Sequence, residues 1–248
     1  MLQDLLRSFS VFGNYANIYV GEGEQNIKYT KLANAFVQHN MIVSIAEEVG
    51  FEINPTMSTA PKAKKIMRPI IFSPNREWGI TFNGERIDIN WSGLSAESKI
   101  EKDDFINKAV TYLKIIEQIY QITYIRIAFN FEGVYYDFPE SRGNDILNKV
   151  AATQLTLYKE KSMKEWNIQY AIVEKVSDFD RPVNLITTVS RGIRNFRWMK
   201  HTDCISFHCD CNTVIDKDSN SIIENNMAIS FLKKYANLPN ELSAELFK

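Results

Sequence analysis

Apolar side chains fall at every second position in segment after segment of this chain, a pattern that a mainly helical fold cannot accommodate. The clearest case is the run 80–91, Ile-Thr-Phe-Asn-Gly-Glu-Arg-Ile-Asp-Ile-Asn-Trp, where Ile87, Ile89 and Trp91 alternate with Arg86, Asp88 and Asn90. Successive side chains of a strand point to opposite faces, so this run is a ribbon with one buried and one polar face. Asn83-Gly84 at its centre tolerates positive φ, which predicts a type I′ hairpin turn. The alternation returns over 123–132, with Ile125, Ile127, Phe129 and Phe131 set against Tyr124, Arg126, Asn130 and Glu132. Glu132-Gly133 then predicts a turn into a further strand, Val134-Tyr-Tyr-Asp-Phe138. Strands are also expected over 10–20, 68–72, 166–172, 183–189 and 204–211.

Helical spacing is confined to fewer places. Leu32, Ala33, Phe36, Val37, Met41 and Ile45 predict a helix within 29–48, although the β-branched stretch 41–45 also suits a strand. Ser98-x-x-Glu101 reads as a capping box ahead of a helix over 100–121, with Asp103 and Asp104 in its first turn. Its stripe is Phe105, Ala109, Tyr112, Leu113, Ile116 and Tyr120. Ser221-x-x-Glu224 likewise opens a C-terminal helix over 222–236 (Ile223, Met227, Phe231, Tyr235), ending near Asn237-Leu-Pro239. The two prolines of 54–61 and the following Lys62-Ala-Lys-Lys65 predict a loop. The stretch 144–158 begins with helical spacing and ends in alternation. Pro139 to Gly143 breaks the pattern and divides the chain into 1–140, holding the central hairpins and helix 100–121, and 141–248, holding helix 222–236. The two halves also fit one continuous domain. The fold class is α+β: antiparallel sheet built of hairpins and meanders, packed by a few amphipathic helices.

With 248 residues the chain can bury a substantial core. Twenty-nine basic against 30 acidic residues leave a net charge of −1, so global charge selects no partner. No apolar run reaches the ~18–20 residues of a membrane span, and the first residues lack the basic segment of a secretory signal. Three cysteines, all within 204–211, are not a disulfide framework. The expectation is a cytoplasmic protein without membrane attachment.

Four candidate sites follow. Cys204, His208, Cys209 and Cys211 are zinc-ligand types, but on one strand Cys209 and Cys211 oppose Cys204 and His208. Cys204 and His208 would also stand ~13 Å apart. No metal is expected, and the cysteines read as small buried hydrophobes. Ser206, His208 and Asp210 share the other face of that strand, too widely spaced for a triad; His208 and Asp210 remain the best titratable pair. The run 190–201 carries Arg191, Arg194, Arg197 and Lys200 at intervals of three, with Phe196 and Trp198 between them and no acid. As a helix it is a basic stripe, and as a loop it is a basic stacking surface. It suits an acidic protein partner, a nucleic acid, or a plain connector whose arginines are solvated. Lys62, Lys64, Lys65 and Arg68 would extend it if they fold nearby. Finally, the polar strand faces bearing Arg86, Asp88 and Asn90, and Tyr124, Arg126, Asn130 and Glu132, would form cross-strand ion pairs if adjacent, or bind a polar ligand if concave. Asp88, Glu132, Glu174 and Lys175 also supply the residue types of a metal-dependent nuclease, without its spacing. Gly21-x-Gly23 completes no nucleotide fingerprint, and no cofactor is expected.

The order hairpin, helix, then the strand Tyr124-Ile-Arg-Ile127, with Cys209-Asp-Cys-Asn-Thr213 ahead of a C-terminal helix, resembles a sporadically distributed family of uncharacterised bacterial α+β proteins. The likeness implies that fold and no activity, and covers about half the chain. The expected function is a non-enzymatic binding or protein-interaction module, of accessory or immunity type in a bacterial or phage system, engaging a protein partner or a second copy. Binding would use Arg191, Arg194, Arg197, Trp198, Lys200, Arg86 and Arg126. The alternative is a nucleic-acid-binding protein or metal-dependent nuclease using 191–201. A hydrolase around His208 and Asp210 stands third. The residues name neither ligand nor oligomeric state.

Overall fold

The alternating segments become the strands of one antiparallel sheet in the computed structural model, which describes residues 2–52, 62–151, 163–176, 179, 181–215 and 222–247. In chain order the elements are β1 (Leu2–Phe12), α1 (Glu24–Val37), β2 (Ile42–Glu52), β3 (Lys62–Phe72), β4 (Trp78–Phe82), β5 (Arg86–Ser92), α2 (Lys102–Tyr120) and β6 (Arg126–Tyr136). There follow α3 (Glu140–Val150), β7 (Trp166–Glu174), β8 (Val183–Arg194), β9 (Thr202–Thr213), α4 (Asn225–Tyr235) and α5 (Leu238–Phe247). The nine described strands lie in the order β2-β3-β4-β5-β1-β6-β9-β8-β7. The class is α+β, as the alternation requires.

A topological repeat underlies this order. β1, α1, a meander ending in β5, and α2 are followed by β6, α3, a meander ending in β9, and α4. Each meander returns its last strand to the side of the strand that opened the unit, and the two opening strands pair at the centre, Phe9 opposite Phe129. The short likeness between Arg68-Pro-Ile and Arg181-Pro-Val in the sequence does not follow this repeat. Arg68 lies within β3, whereas Arg181 precedes β8, whose counterpart is β4.

Helices cover one face. Phe9, Val11, Ile87, Ile89, Trp91, Ile127, Phe129, Phe131, Phe207, Cys209 and Cys211 turn towards them and are buried together. The stripe of α2 meets this face through Phe105, stacked on Trp78 at 5.6 Å and edge-on to Phe129 at 6.0 Å. Phe207 touches Phe247 of α5, and Phe231 of α4 touches Phe179.

Several expectations are corrected. Strand β1 ends at Phe12, and the residues after it form a loop bound by Arg68, whose Nη1 donates to the carbonyls of Tyr15 (3.0 Å), Ala16 (3.3 Å) and Ile18. Helix and strand share 29–48: α1 ends at Val37 and the β-branched residues open β2. Residues 62–65 are strand, while 54–61 lie outside the described residues. Gly133 makes no turn. It sits inside β6, where an added Cβ would lie 2.6 Å from the Phe207 ring, so the glycine makes room for that ring. Pro139 is the N-cap of α3, so the predicted break opens a helix. Ser98 does not cap α2. Its hydroxyl accepts from the amides of Leu94 and Ser95 and donates to Glu77, and Glu101, the actual N-cap, makes no side-chain capping bond. Glu224 is likewise an unbonded N-cap of α4, with Ser221 outside the described residues. Helix α4 closes at Tyr235, just before the expected 237–239, but a further helix, α5, begins at Leu238 and contains Pro239.

Candidate functional site

No described helix residue joins the second hydrophobic cluster, which lies on the sheet's other face and consists of Val134, Tyr136 and Cys204 with Leu5, Phe196 and Met199. Apart from this corner the middle of the uncovered face is mainly polar, with Leu6, Ala128 and Ile186 among its polar groups. Register places Thr81, Asp88, Ser10, Ala128, Asn212 and Asn184 side by side across six strands. The next row runs Asn90, Ser8, Asn130, Asp210. Beyond it come Ser92, Leu6, Glu132, His208 and Thr188.

This face has fixed anchors and unspent groups. Ser10 Oγ donates to Asp88 Oδ1 at 2.6 Å, and Arg86 Nε to Asp88 Oδ2 at 2.9 Å. Asn212 Nδ2 donates to Asp210 Oδ1 at 3.1 Å. Arg194 Nη1 holds Glu132 at 2.8 Å. Between these anchors, the side chains of Asn90 and Asn130 make no hydrogen bond among the described residues. Both flank Ser8 of the central strand, so two amides, each able to donate and accept, stand ~10 Å apart at the middle of the face.

The sequence-derived candidates distribute unevenly. Arg86 and Arg126 are not on adjacent strands: β1 separates them, and both guanidiniums approach the Phe12 ring between them, at 5.8 and 4.8 Å. Asp88, Glu132, His208 and Asp210 do share the uncovered face, with His208 directly opposite Glu132. Glu174 turns to the other face, accepting from Tyr235 at 2.9 Å and pairing with Lys234. Among the described residues no group of three or more His, Cys, Asp or Glu side chains is placed to hold a metal ion. Burial raises the thiol pKa of all three cysteines, Cys209 to about 11, which disfavours the thiolate a metal would need.

The basic run is the end of β8 and its turn into β9, not a helix. Arg191 departs most from expectation. It is buried on the helix face, paired with Asp203 at 2.7 Å and backed by Gly143, where an added Cβ would lie 2.5 Å from its Nη1. Arg194 is held by Glu132, and Trp198 stacks on Phe196 at 5.4 Å. Ile193, between these arginines, is 64% exposed. Only Arg197 and Lys200 of the five candidates remain exposed and without an ion-pair partner among the described residues. The segment 62–68 does not join them. β3 begins at the opposite end of the sheet, and five strands separate it from β8.

No family model matches the chain, and no curated protein matches it. No described helix is long and apolar enough to cross a membrane.

The central amides belonged to the polar strand faces read from the sequence, without being singled out there. Asn90 and Asn130 are legible there as polar positions of two strands, but only the pairing of both strands with β1 brings them to one place.

Proposed function

We propose that this chain is a non-enzymatic binding module whose working surface is the uncovered face of the sheet and whose partner is a protein. The observation that carries the reading is a helix-free, hydrogen-bonding face with unspent amides at Asn90 and Asn130, set among carboxylates and arginines already fixed in place. Sheet faces of this kind stay unpacked only where water or a partner satisfies them. The charges favour a protein over a polyanion: Arg86, Arg126 and Arg194 on this face are balanced by Asp88, Glu132 and Asp210. A nucleic acid needs unpaired cations, and neutralising three phosphates with Arg126, Arg197 and Lys200 would give a salt slope of only about −3.

Replacing both amides by arginine, N90R/N130R, leaves the fold intact, because solvent-facing substitutions typically change stability by only about 0.5 kcal/mol. Proteins retained from nuclease-treated extract of the native cells by the immobilised wild-type chain should fall at least tenfold on the variant, counted by mass spectrometry. Equal retention by both would refute the working surface. If retention instead disappears with nuclease and with R194E/R197E, the partner is a nucleic acid.

A further inference from the structure

Among the described strands the sheet ends at two edges, β2 and β7, each paired on one side only. Unpaired N–H and C=O groups along an edge recruit further strands, and natural sheets blunt them with charges, prolines or bulges. β7 has none of these along its middle. From Trp166 to Val173 every residue is uncharged, and the register with β8 runs unbroken over the whole strand. Tyr170, Ile172 and Val173 are 43%, 58% and 64% exposed.

The charges sit at the two ends. Glu165 precedes the strand and Lys175 follows it, both exposed and without an ion-pair partner among the described residues. The charges next to them are already engaged, Lys164 with Glu140, and Glu174 with Lys234 and the Tyr235 hydroxyl.

We propose that β7 pairs antiparallel with β7 of a second copy of this chain, about a twofold axis through Tyr170. Side chains alternate between faces, so a continuous sheet admits only registers two residues apart. With Tyr170 opposite Tyr170 of the second copy, Ile168 meets Ile172, Gln169 meets Ala171 and Glu165 meets Lys175, each contact occurring twice. On the helix side, Ile168, Tyr170 and Ile172 of both copies then form one apolar strip, beside Val189, Thr187 and Leu185 of β8. The next register in either direction sets Glu165 and Lys175 against uncharged residues and loses both ion pairs. This complementarity of the strand to itself selects a second copy as the occupant. β2 lacks it, because the same centred pairing would set Glu47 against Glu47. Association therefore closes at two copies. The axis stands perpendicular to the sheet and leaves both uncovered faces on one side of the dimer, but the pairing does not rest on the function proposed for that face.

Sedimentation equilibrium of the full chain at concentrations up to about 1 mM tests it. A reversible monomer–dimer equilibrium is expected. Tyr170→Lys sets two ammonium groups against each other on the axis and should raise the dissociation constant at least tenfold. Glu165→Lys and Lys175→Glu each replace two attractions by two repulsions and should raise it about threefold, whereas E165K/K175E together should return it to the wild-type value. All three positions are exposed, so these variants keep the fold. A chain that stays monomeric overturns the proposal, as does a dimer equally tight in Tyr170→Lys. A double variant no tighter than either single one overturns the register about Tyr170. Species larger than a dimer that grow with concentration overturn the closed twofold pairing.

Discussion

Glu117 shows how much of this molecule's behaviour is set by single polar groups placed among apolar ones. On α2, partly buried, it accepts from the Tyr124 hydroxyl and, at 2.5 Å, from Asn225 Nδ2 at the start of α4. It thereby joins the helix of the first repeat to the strand and helix of the second. Burial raises its pKa above the usual carboxylate range, outweighing the two hydrogen bonds and Lys114, which lower it. The sign follows. The folded chain holds this proton more tightly than the unfolded one, so the contribution to stability is full below the unfolded value of about 4.3 and is lost as pH rises through the folded value. Glu117→Gln has no such proton. The urea midpoint of wild type, measured relative to Glu117→Gln, should therefore decline as pH rises above the ordinary carboxylate range. A pH-independent difference between the two would show that burial does not govern this carboxyl. Arg191 teaches the complementary lesson. Its spacing in the basic run was visible, but its burial depends on Gly143 and Asp203, which arrive from elsewhere in the chain.

Among elements, the strands were the legible part. Period-two alternation placed β5 and β9 and most of β6, because it reports a sheet with one greasy side whatever its neighbours are. What failed was punctuation. Gly133, Pro139 and Ser98 were each read by local rules; Gly133 and Ser98 are governed by distant groups, the Phe207 ring and the Glu77 carboxylate, while Pro139 opens α3 as its N-cap. The hairpin between β4 and β5 makes the point measurable. Neither Asn83 nor Gly84 has positive φ. Instead Asn83 Oδ1 accepts from the amides of Glu85 at 2.9 Å and Arg86 at 2.6 Å. Asn83→Ala should thus cost about 1 kcal/mol. Gly84→Ala, whose Cβ would meet Arg68 Nη2 at an ordinary 3.5 Å, should stabilise by about 0.5 kcal/mol through a less mobile unfolded chain. Differential scanning calorimetry resolves the two signs. A fall in Tm for Gly84→Ala would restore the left-handed turn.

At the scale of the whole molecule, the candidate face exists only because two repeats close on each other. β1 and β6, opened more than 120 residues apart, pair along their length, and Asn90 and Asn130 come together across that seam. The apolar side is equally undivided: one buried cluster contains Phe36 and Trp78 as well as Phe207 and Phe231. Splitting the chain near residue 140 would cut between β6 and α3, although β6 pairs with β9 over nine residues, Ala128 to Tyr136. A structure tied in this way has no part that can open far without exposing the rest, which argues for a single cooperative transition. The four tryptophans allow a direct check, since Trp78 and Trp91 report on the first repeat while Trp166 and Trp198 report on the second. In W166F/W198F, and separately in W78F/W91F, the fluorescence transition in urea should coincide with the far-ultraviolet circular dichroism transition of the same variant. Each variant will have its own midpoint, because removing a buried indole costs stability, but the two signals should superimpose within it. If the second-repeat tryptophans lose their native signal while half of the circular dichroism persists, the repeats are independent folding units. The uncovered face would then be an interface between domains, able to open as they part.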